Sequence, residues 1–300
     1  MELWIPITIG AAFFQNLRSA LQKHLKSRLS TYGATYARFV YAVPFVAAYV
    51  LLLIGAFGMD LPRPNATFAL FTLIGASAQI IATFLLIHLF SYKNFAVGTT
   101  YSKTETVQTA VFGILILGDR LHPLAAGGIL VSLLGVMLMS AGQGPTSLRA
   151  LLMGWTQRPA LIGIVSGAFF GISIVGYRAA SLSLEGTPYL MQAGATLLCA
   201  TIYQSLAMGA WMRLREPGQI TRVIATFRVG VFVGLSGMLA SACWLTAATL
   251  QNAAYVRVVG QVELLFMFAA SVLFFREHPG RLEVTGILLV AGGIVMLLLA

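Results

Sequence analysis

Apolar runs of membrane-spanning length account for most of this chain. Each run is about as long as one transmembrane helix, and most connections between runs are very short. Only 9% of the residues are charged, against about a quarter in soluble domains, so a soluble globular protein is excluded. We therefore predict an all-α membrane protein with ten transmembrane helices. The predicted spans are roughly 3–22, 31–56, 66–91, 94–117, 122–141, 159–181, 187–211, 229–249, 252–275 and 281–299.

Two connections are longer than the others, and one of them divides the chain in the middle. Residues 142–158 join the fifth and sixth predicted spans, and residues 212–228 join the seventh and eighth. The division predicts a first repeat at 1–141, a linker at 142–158 and a second repeat at 159–300. Apolar residues in the linker predict a short interfacial helix. These residues are Leu148, Leu151, Leu152 and Trp155.

The two halves repeat each other in sequence. An offset of 158 residues places Glu263 on Glu105 and Glu277 on Asp119. Because five is an odd number of spans, two similar halves must cross the membrane in opposite directions, so we predict two inverted five-helix repeats. Folds of this kind usually place the substrate site near the middle of the bilayer, where the halves meet.

The fourth predicted span is polar in its first half and apolar in its second. Lys103 and Glu105 are expected near the middle of the membrane, where an ionisable group is costly and is therefore a candidate functional residue. Glu105 and its equivalent Glu263 are expected either to carry a proton or to meet a cationic substrate. The alternative is a structural role in an ion pair or in helix packing.

Basic residues near the glutamates are candidates for balancing charge or contacting a substrate. Lys103 is expected to pair across helices, and its equivalent is Gln261, so the repeat requires no charge at that position. Arg257 and Gln261 are four residues apart and are expected to share a helix face. Arg38 lies within the second span. Either arginine could clamp a carboxylate or phosphate of a substrate, or pair with a glutamate.

Uncharged polar and aromatic side chains complete the predicted site. Amides could donate to a ligand or bond helix to helix, and aromatic rings could line a cavity or serve in packing. These candidates are Gln15, Asn16, Gln79, Tyr101 and Trp244. By contrast, Arg18 and Arg178 lie near predicted helix ends and are expected to extend to the membrane interface.

Residues 94–139 and 252–299 each combine a polar-then-apolar helix, an acidic turn and a glycine-rich last helix. With the ten spans and the five-plus-five repeat, this pattern resembles the EamA-type members of the drug/metabolite transporter superfamily over essentially the whole chain. The resemblance implies a central cavity lined by spans one to four and six to nine. Many members carry a proline after the acidic position, where this chain has Thr106 and Leu264, so we expect no proline kink.

The resemblance also implies that the fifth and tenth spans pack together, and glycine spacing supports this independently. Gly128 and Gly135 are seven residues apart, as are Gly286 and Gly293. Small residues on one face let two helices approach closely in a bilayer.

Signals for enzymes, metals and nucleic acid are missing from the sequence. No nucleophile-elbow, zinc-protease or phosphate-loop motif occurs. Cys199 and Cys243 lie in apolar segments, and no spacing of His, Cys and acidic residues suits a metal. The net charge of +10 comes from bases in short loops, which is typical of membrane topology. We expect no catalytic residue, no cofactor, no metal and no nucleic-acid partner.

Charge distribution and family resemblance imply opposite orientations. Twelve basic residues follow odd-numbered spans and two follow even-numbered spans, so the positive-inside rule places both termini outside. The resemblance implies cytoplasmic termini. We favour the charge count, and a C-terminal reporter fusion distinguishes the two.

We expect a secondary transporter, in the exporting direction, for a small polar or amphipathic metabolite such as an amino acid or organic acid. Arg38, Lys103 and Arg257 outnumber the two deep glutamates, which favours a substrate with a carboxylate. One alternative is a flippase or exporter of a lipid-like or hydrophobic cationic compound; another is a membrane scaffold without transport. The expected surroundings are a bacterial inner membrane, the substrate and protons, and the expected state is a monomer or homodimer.

Overall fold

A computed structural model of the protein describes residues 2–89, 91–92, 100–142, 156–273 and 280–300, and all regular elements in these ranges are helical. A π-helical turn at Gly113–Leu117 follows α5. The helices are α1 Trp4–Leu25, α2 Thr31–Val40, α3 Val43–Gly55, α4 Ala66–Leu89, α5 Glu105–Phe112, α6 Pro123–Gly142, α7 Arg158–Leu182, α8 Tyr189–Arg215, α9 Gln219–Ala225, α10 Phe227–Leu250, α11 Ala253–Val259, α12 Val262–Leu273 and α13 Arg281–Leu298.

Local sequence explains where several helices begin. The Ser30 hydroxyl accepts a hydrogen bond from the backbone N–H of Gly33 at the start of α2. The Asn252 side chain accepts one from the N–H of Ala254 at the start of α11. These side chains satisfy N–H groups that have no partner within the helix. A proline lies in the first turn of α3 and of α7, where it displaces no helical hydrogen bond.

Within the described residues, six helical segments are long and apolar enough to cross a membrane, by length and composition. The predicted fourth and ninth spans fall short because breaks divide them. The count of ten transmembrane helices therefore stays a prediction. The six segments are Thr31–Gly55, Ala66–Leu89, Pro123–Ala141, Arg158–Leu182, Phe227–Leu250 and Arg281–Leu298.

Helix packing follows a two-fold pattern. Helix α4 packs on α7. The equivalent of α4 in the second repeat is α10, the equivalent of α7 in the first repeat is α1, and these two helices also pack on each other. Helix α5 packs on α7, and α1 correspondingly packs on α11 and α12. The pairs α3 with α8 and α6 with α13 each join equivalent spans of the two repeats. Exchange of the halves therefore leaves these contacts unchanged. Helix α5 also packs on α11, where the two interrupted spans meet.

The contact between α6 and α13 also reveals the relative direction of the repeats. A Cβ atom on Gly128 would lie 2.6 Å from the carbonyl oxygen of Gly293, and one on Gly135 would lie 2.6 Å from that of Gly286. The residue numbers in contact therefore increase along α6 as they decrease along α13, so the two helices are antiparallel. Equivalent helices of the two repeats run in opposite directions, as an inverted repeat requires.

The predicted fourth and ninth spans are both interrupted at equivalent positions. Turns at 103–104 and 260–261 separate the helical segments on either side. Neither break needs a proline. A Cβ atom on Gly260 would clash with the ring of Trp244, so only glycine fits beneath the indole. Gln261 lies in the turn that follows α11, and both it and Arg257 line one small cavity. That the two residues share one helix face stays a prediction.

Some predicted features lie outside the described residues. They include Glu277, the predicted partner of Asp119 in the repeat, and the interfacial helix of the linker. The repeat bounds at 141, 159 and 300 stay predictions.

Candidate functional site

A cavity of about 280 Å³ lies where the two interrupted spans meet α1, α6 and α7. Three cationic and two anionic side chains line it, together with polar groups of α1. Such a concentration of charge among apolar helices is the default candidate for a substrate pathway. The charged residues are Arg18, Lys103, Glu105, Arg257 and Glu263, and the predicted amides at the cavity are Gln15 and Asn16.

An ion pair joins Lys103 of the first repeat to Glu263 of the second. This confirms that Lys103 pairs across helices. The Gln15 amide also approaches Glu263, with Nε2 3.5 Å from Oε2. The Glu263 residue is 5% exposed, whereas the Lys103 side chain is 30% exposed. Lys103 can therefore leave the pair toward the open part of the cavity more readily than Glu263 can.

A second ion pair runs between the repeats in the opposite sense. Arg257 Nε lies 2.8 Å from Glu105 Oε1, at an angle that does not make a hydrogen bond, so the attraction is between charges. The Arg257 guanidinium lies 4.5 Å from the centre of the Trp244 ring, which adds a cation–π contact. The indole N–H of Trp244 donates to Gln15 Oε1 at 3.0 Å. Gln15 thus links the surroundings of both pairs.

Three other predicted residues lie next to the central cavity. Arg38 and Gln79 line two small cavities beside it, and Gln261 lines a third. Arg38 Nη1 donates to Thr83 Oγ1 at 2.7 Å. The Ser132 hydroxyl of α6 donates to the side-chain oxygen Oε1 of Gln261, while the side-chain nitrogen Nε2 of Gln261 is buried without a hydrogen-bond partner among the described residues. These residues surround the cavity without lining its main volume.

Helix-to-helix bonding accounts for Gln79, and packing accounts for Tyr101. The Gln79 carbonyl oxygen accepts hydrogen bonds from Gln204 Nε2 at 2.9 Å and Tyr177 OH at 3.2 Å. Tyr101 packs against Ala141 and Ala160 and does not line the central cavity. Of the two aromatic candidates, only Trp244 adjoins the charged residues.

The structure overturns the prediction that Arg18 extends to the interface. Arg18 is 4% exposed and lines the central cavity. The prediction rested on the position of Arg18 near the end of the first predicted span. A better signal was available, because Gln15, Arg18, Ser19 and Gln22 recur at helical spacing and form one polar face of α1.

The prediction for Arg178 is also wrong. Its Nη1 donates to the carbonyl oxygens of Ala248 and Gln251 at the end of α10, and its guanidinium lies 4.0 Å from Asp119. The C-terminal carbonyls of a helix attract a cation, so Arg178 is held within the protein. Burial raises the pKa of Asp119 above its ordinary value, and the Arg178 charge partly lowers it.

The described residues contain no group of three or more His, Cys, Asp or Glu side chains placed to hold a metal ion. Cys199 is exposed on its helix, and Cys243 is half-buried.

Comparisons with known proteins extend over the same two repeats. The profile of the EamA-like transporter family matches residues 2–141 and 157–299. No curated protein is significantly similar in sequence. One solved structure, described only as the crystal structure of a protein, has 14% sequence identity and a TM-score of 0.67, and the match covers 99% of this chain and 96% of the other. At that identity the likeness shows a shared fold.

Each matched segment includes one interrupted span with its cavity-lining glutamate, and together the two segments include almost the whole chain. Members of the matched family are membrane transporters of the drug/metabolite transporter superfamily. The chain therefore belongs to the EamA-like transporter family and is a multi-pass membrane protein of that superfamily.

Proposed function

We propose that the protein is a secondary active transporter of a small polar or amphipathic metabolite with a carboxylate, such as an amino acid or organic acid. The observation that carries this proposal is the crossed arrangement of two ion pairs between the repeats. Lys103 pairs with Glu263, and Glu105 pairs with Arg257, at the breaks of the two interrupted spans. Interrupted helices at equivalent positions of two repeats are typical of transporter binding sites.

The two pairs supply a mechanism for alternating access. They join the two repeats, and removing one partner of a pair would leave the other charge uncompensated. A substrate carboxylate can take the place of a glutamate beside Lys103 or Arg257, so that the pair is exchanged and no charge is left alone. The halves can then rock about the α6–α13 contact while the cavity stays occupied.

Charge and volume support a small anionic or zwitterionic substrate. A cavity of about 280 Å³ lies near the lower end of the range for small-molecule sites, roughly 300–1,000 Å³. Its three bases against two acids disfavour a hydrophobic cation, which the flippase alternative requires. A scaffold could join its helices with apolar and small residues and would not need charges at this depth.

Direction, coupling and location are further parts of the proposal. Export in a bacterial inner membrane, proton coupling through Glu105 or Glu263, and a monomeric or homodimeric state are the expectations. Glu263 is the better candidate for proton coupling, because its partner Lys103 is the more exposed of the two bases.

Transport by purified protein in proteoliposomes tests the proposal. We expect flux of a radiolabelled amino acid or dicarboxylate, and a decrease of at least about tenfold for Glu105→Gln and Glu263→Gln, since each leaves a cation of the cavity without its partner. Glu185→Gln is the matched control, because Glu185 is exposed in the loop before α8. Flux unchanged by both cavity variants would show that the two ion pairs do not take part in transport.

A further inference from the structure

Two buried arginines approach the same glycine of α10, and neither forms an ion pair with a carboxylate that the structure describes. Arg18 of α1 and Arg38 of α2 are 4% and 5% exposed. Arg18 Cδ lies 3.5 Å, and Arg38 Cγ 3.8 Å, from the position that a Cβ atom on Gly237 of α10 would occupy. Of the nine acidic residues in the sequence, the structure describes all except Glu277, and none of those described forms an ion pair with either arginine.

The neutral contacts of these arginines do not compensate their charge. Arg38 Nη1 donates to the Thr83 hydroxyl, and Arg18 Nε is buried without a hydrogen-bond partner. The C-terminal end of α2 offers Arg38 only a partial negative charge, about half of an elementary charge. Like charges on two neighbouring side chains in a membrane interior repel each other unless an anion lies between or beside them.

The charge balance around the cavity has an excess of two positive charges. Four cationic side chains line the central cavity or the small cavities beside it, and two carboxylates face them. The two carboxylates are already paired with Lys103 and Arg257. The excess therefore belongs to Arg18 and Arg38, and a ligand with two negative charges would neutralise it.

The two arginines line neighbouring cavities. Arg18 lines the central cavity, and Arg38 lines a small cavity of about 20 Å³ that shares Gln15, Phe170 and Arg257 with it. A volume of that size holds roughly one water molecule. A ligand in the central cavity could thus direct an oxyanion group toward Arg38 by displacing one or two waters.

We propose that Arg18 and Arg38 form an anion subsite that selects substrates carrying two negative charges, either dicarboxylates or phosphate monoesters. The shared chemistry is recognition of a planar or tetrahedral oxyanion by guanidinium groups, which can donate two parallel hydrogen bonds. This inference rests on the proposed transport function and specifies its substrate class. Arg18 and Arg38 bind the oxyanion, while the two ion pairs between the repeats respond to it.

Calorimetric titration of the purified protein in detergent tests the subsite without relying on transport. Succinate has two charges, and its monoamide succinamate has the same length and one charge; glycerol 3-phosphate represents phosphate monoesters. We expect succinate or glycerol 3-phosphate to bind at least about tenfold more tightly than succinamate, because one charge-assisted hydrogen bond is worth roughly a factor of ten to a hundred. The dianion that binds more tightly identifies the oxyanion.

Two variants and a matched control locate the effect. Arg18→Gln and Arg38→Gln are expected to lower dianion affinity about tenfold to hundredfold and to change succinamate affinity much less. Arg28→Gln, at an exposed position before α2, is expected to bind like the unmodified protein. Equal affinity for succinate and succinamate, no binding of any of the three probes, or unchanged dianion binding by both variants would overturn the inference.

Thermal unfolding without ligand separates a binding role from a structural one. Replacing an uncompensated buried charge is expected to leave the melting temperature equal or higher. A lower melting temperature for Arg38→Gln would assign Arg38 to packing through Thr83 and would also overturn the inference. Transport distinguishes this proposal from the previous one. Dianion binding without flux would refute the transport function alone, and flux insensitive to both arginine variants would refute the subsite alone.

Discussion

Two contacts join equivalent spans of the two repeats. One contact is symmetric under exchange of the repeats, and the other is not. Between α6 and α13, the contact of Gly128 with Gly293 is the counterpart of the contact of Gly135 with Gly286. The contact is therefore symmetric, close and without charge. Between the interrupted spans, the contact is charged and asymmetric: the equivalent of Lys103, in the pair with Glu263, is the neutral Gln261.

The difference separates residues that hold the helices together from residues that line the cavity. Glycines allow two helix backbones to approach within van der Waals distance, and a larger residue on either helix would push them apart. Both repeats therefore have glycine at the contact positions. A binding site has to distinguish one end of an asymmetric substrate from the other. The side chains that line it consequently differ between the halves even where the backbone breaks are equivalent.

The largest effect is expected from disturbing the symmetric contact. A Cβ atom in Gly135→Ala would lie 2.6 Å from the Gly286 carbonyl oxygen and 2.7 Å from the Val290 backbone nitrogen. Because backbone atoms cannot move aside, the helices must separate, and we expect a loss of about 1–3 kcal/mol in stability. Thermal melting in detergent measures it.

Gly292→Ala is the matched control for that variant. Gly292 is on the same helix as Gly286, and nothing lies within 4 Å of the Cβ atom that the substitution adds. Its melting temperature should match or slightly exceed that of the unmodified protein, since alanine favours helix more than glycine does. Equal stability of both variants would mean that the α6–α13 contact does not limit stability.

An intermediate effect is expected from making the charged contact symmetric. Lys103→Gln gives both repeats glutamine at this position and leaves the buried Glu263 without its cation. We expect transport to fall at least about tenfold. The loss of stability should be smaller, about 1 kcal/mol or less, because Lys103 is 30% exposed and water already screens the pair.

A charge exchange provides the control for Lys103→Gln. The double variant Lys103→Glu with Glu263→Lys restores an ion pair in reversed polarity, so the melting temperature should return toward its original value while transport stays low. Recovery of full transport by the double variant would show that only the pairing matters, and the proposed contact with an anionic substrate would then be wrong.

The smallest effect is expected at the aromatic neighbour of the second ion pair. Trp244→Phe retains a ring beneath Arg257 but removes the indole N–H that donates to Gln15. A neutral hydrogen bond contributes about 0.5–1.5 kcal/mol, so a decrease in flux of about twofold to tenfold is expected. Trp211→Phe, on the exposed end of α8, is the control. A larger decrease than for Lys103→Gln would rank packing above charge at this site.

Several elements of this molecule were predictable from local patterns. Apolar segment length indicated an all-helical membrane protein, and the recurrence of Glu105 as Glu263 indicated the repeat. The glycine spacing predicted the α6–α13 contact, which the structure confirms. The length of apolar segments, their periodicity and their repetition can be read from the sequence alone, because they do not depend on which helices pack together.

Other elements depended on helices that are far apart in the chain. Sequence spacing suggested one continuous helix through Arg257 and Gln261, but a turn at 260–261 follows α11 beneath Trp244. Distance from a helix end suggested that Arg18 reaches the interface, but Arg18 is buried beside Gly237 of α10 and lines the cavity. A local pattern contains no information about which distant helix covers a given face.

The sequence by itself determined the helical membrane class, the two repeats and the glutamate that both repeats share. Only the tertiary structure decided which base faces which acid. The Lys103–Glu263 pair spans 160 residues of sequence, so its formation depends on how two interrupted helices cross. Electrostatic partners are chosen by distance in space, and burial then makes an unpaired charge costly. For the same reason, only the tertiary structure shows that no described carboxylate forms an ion pair with Arg18 or Arg38.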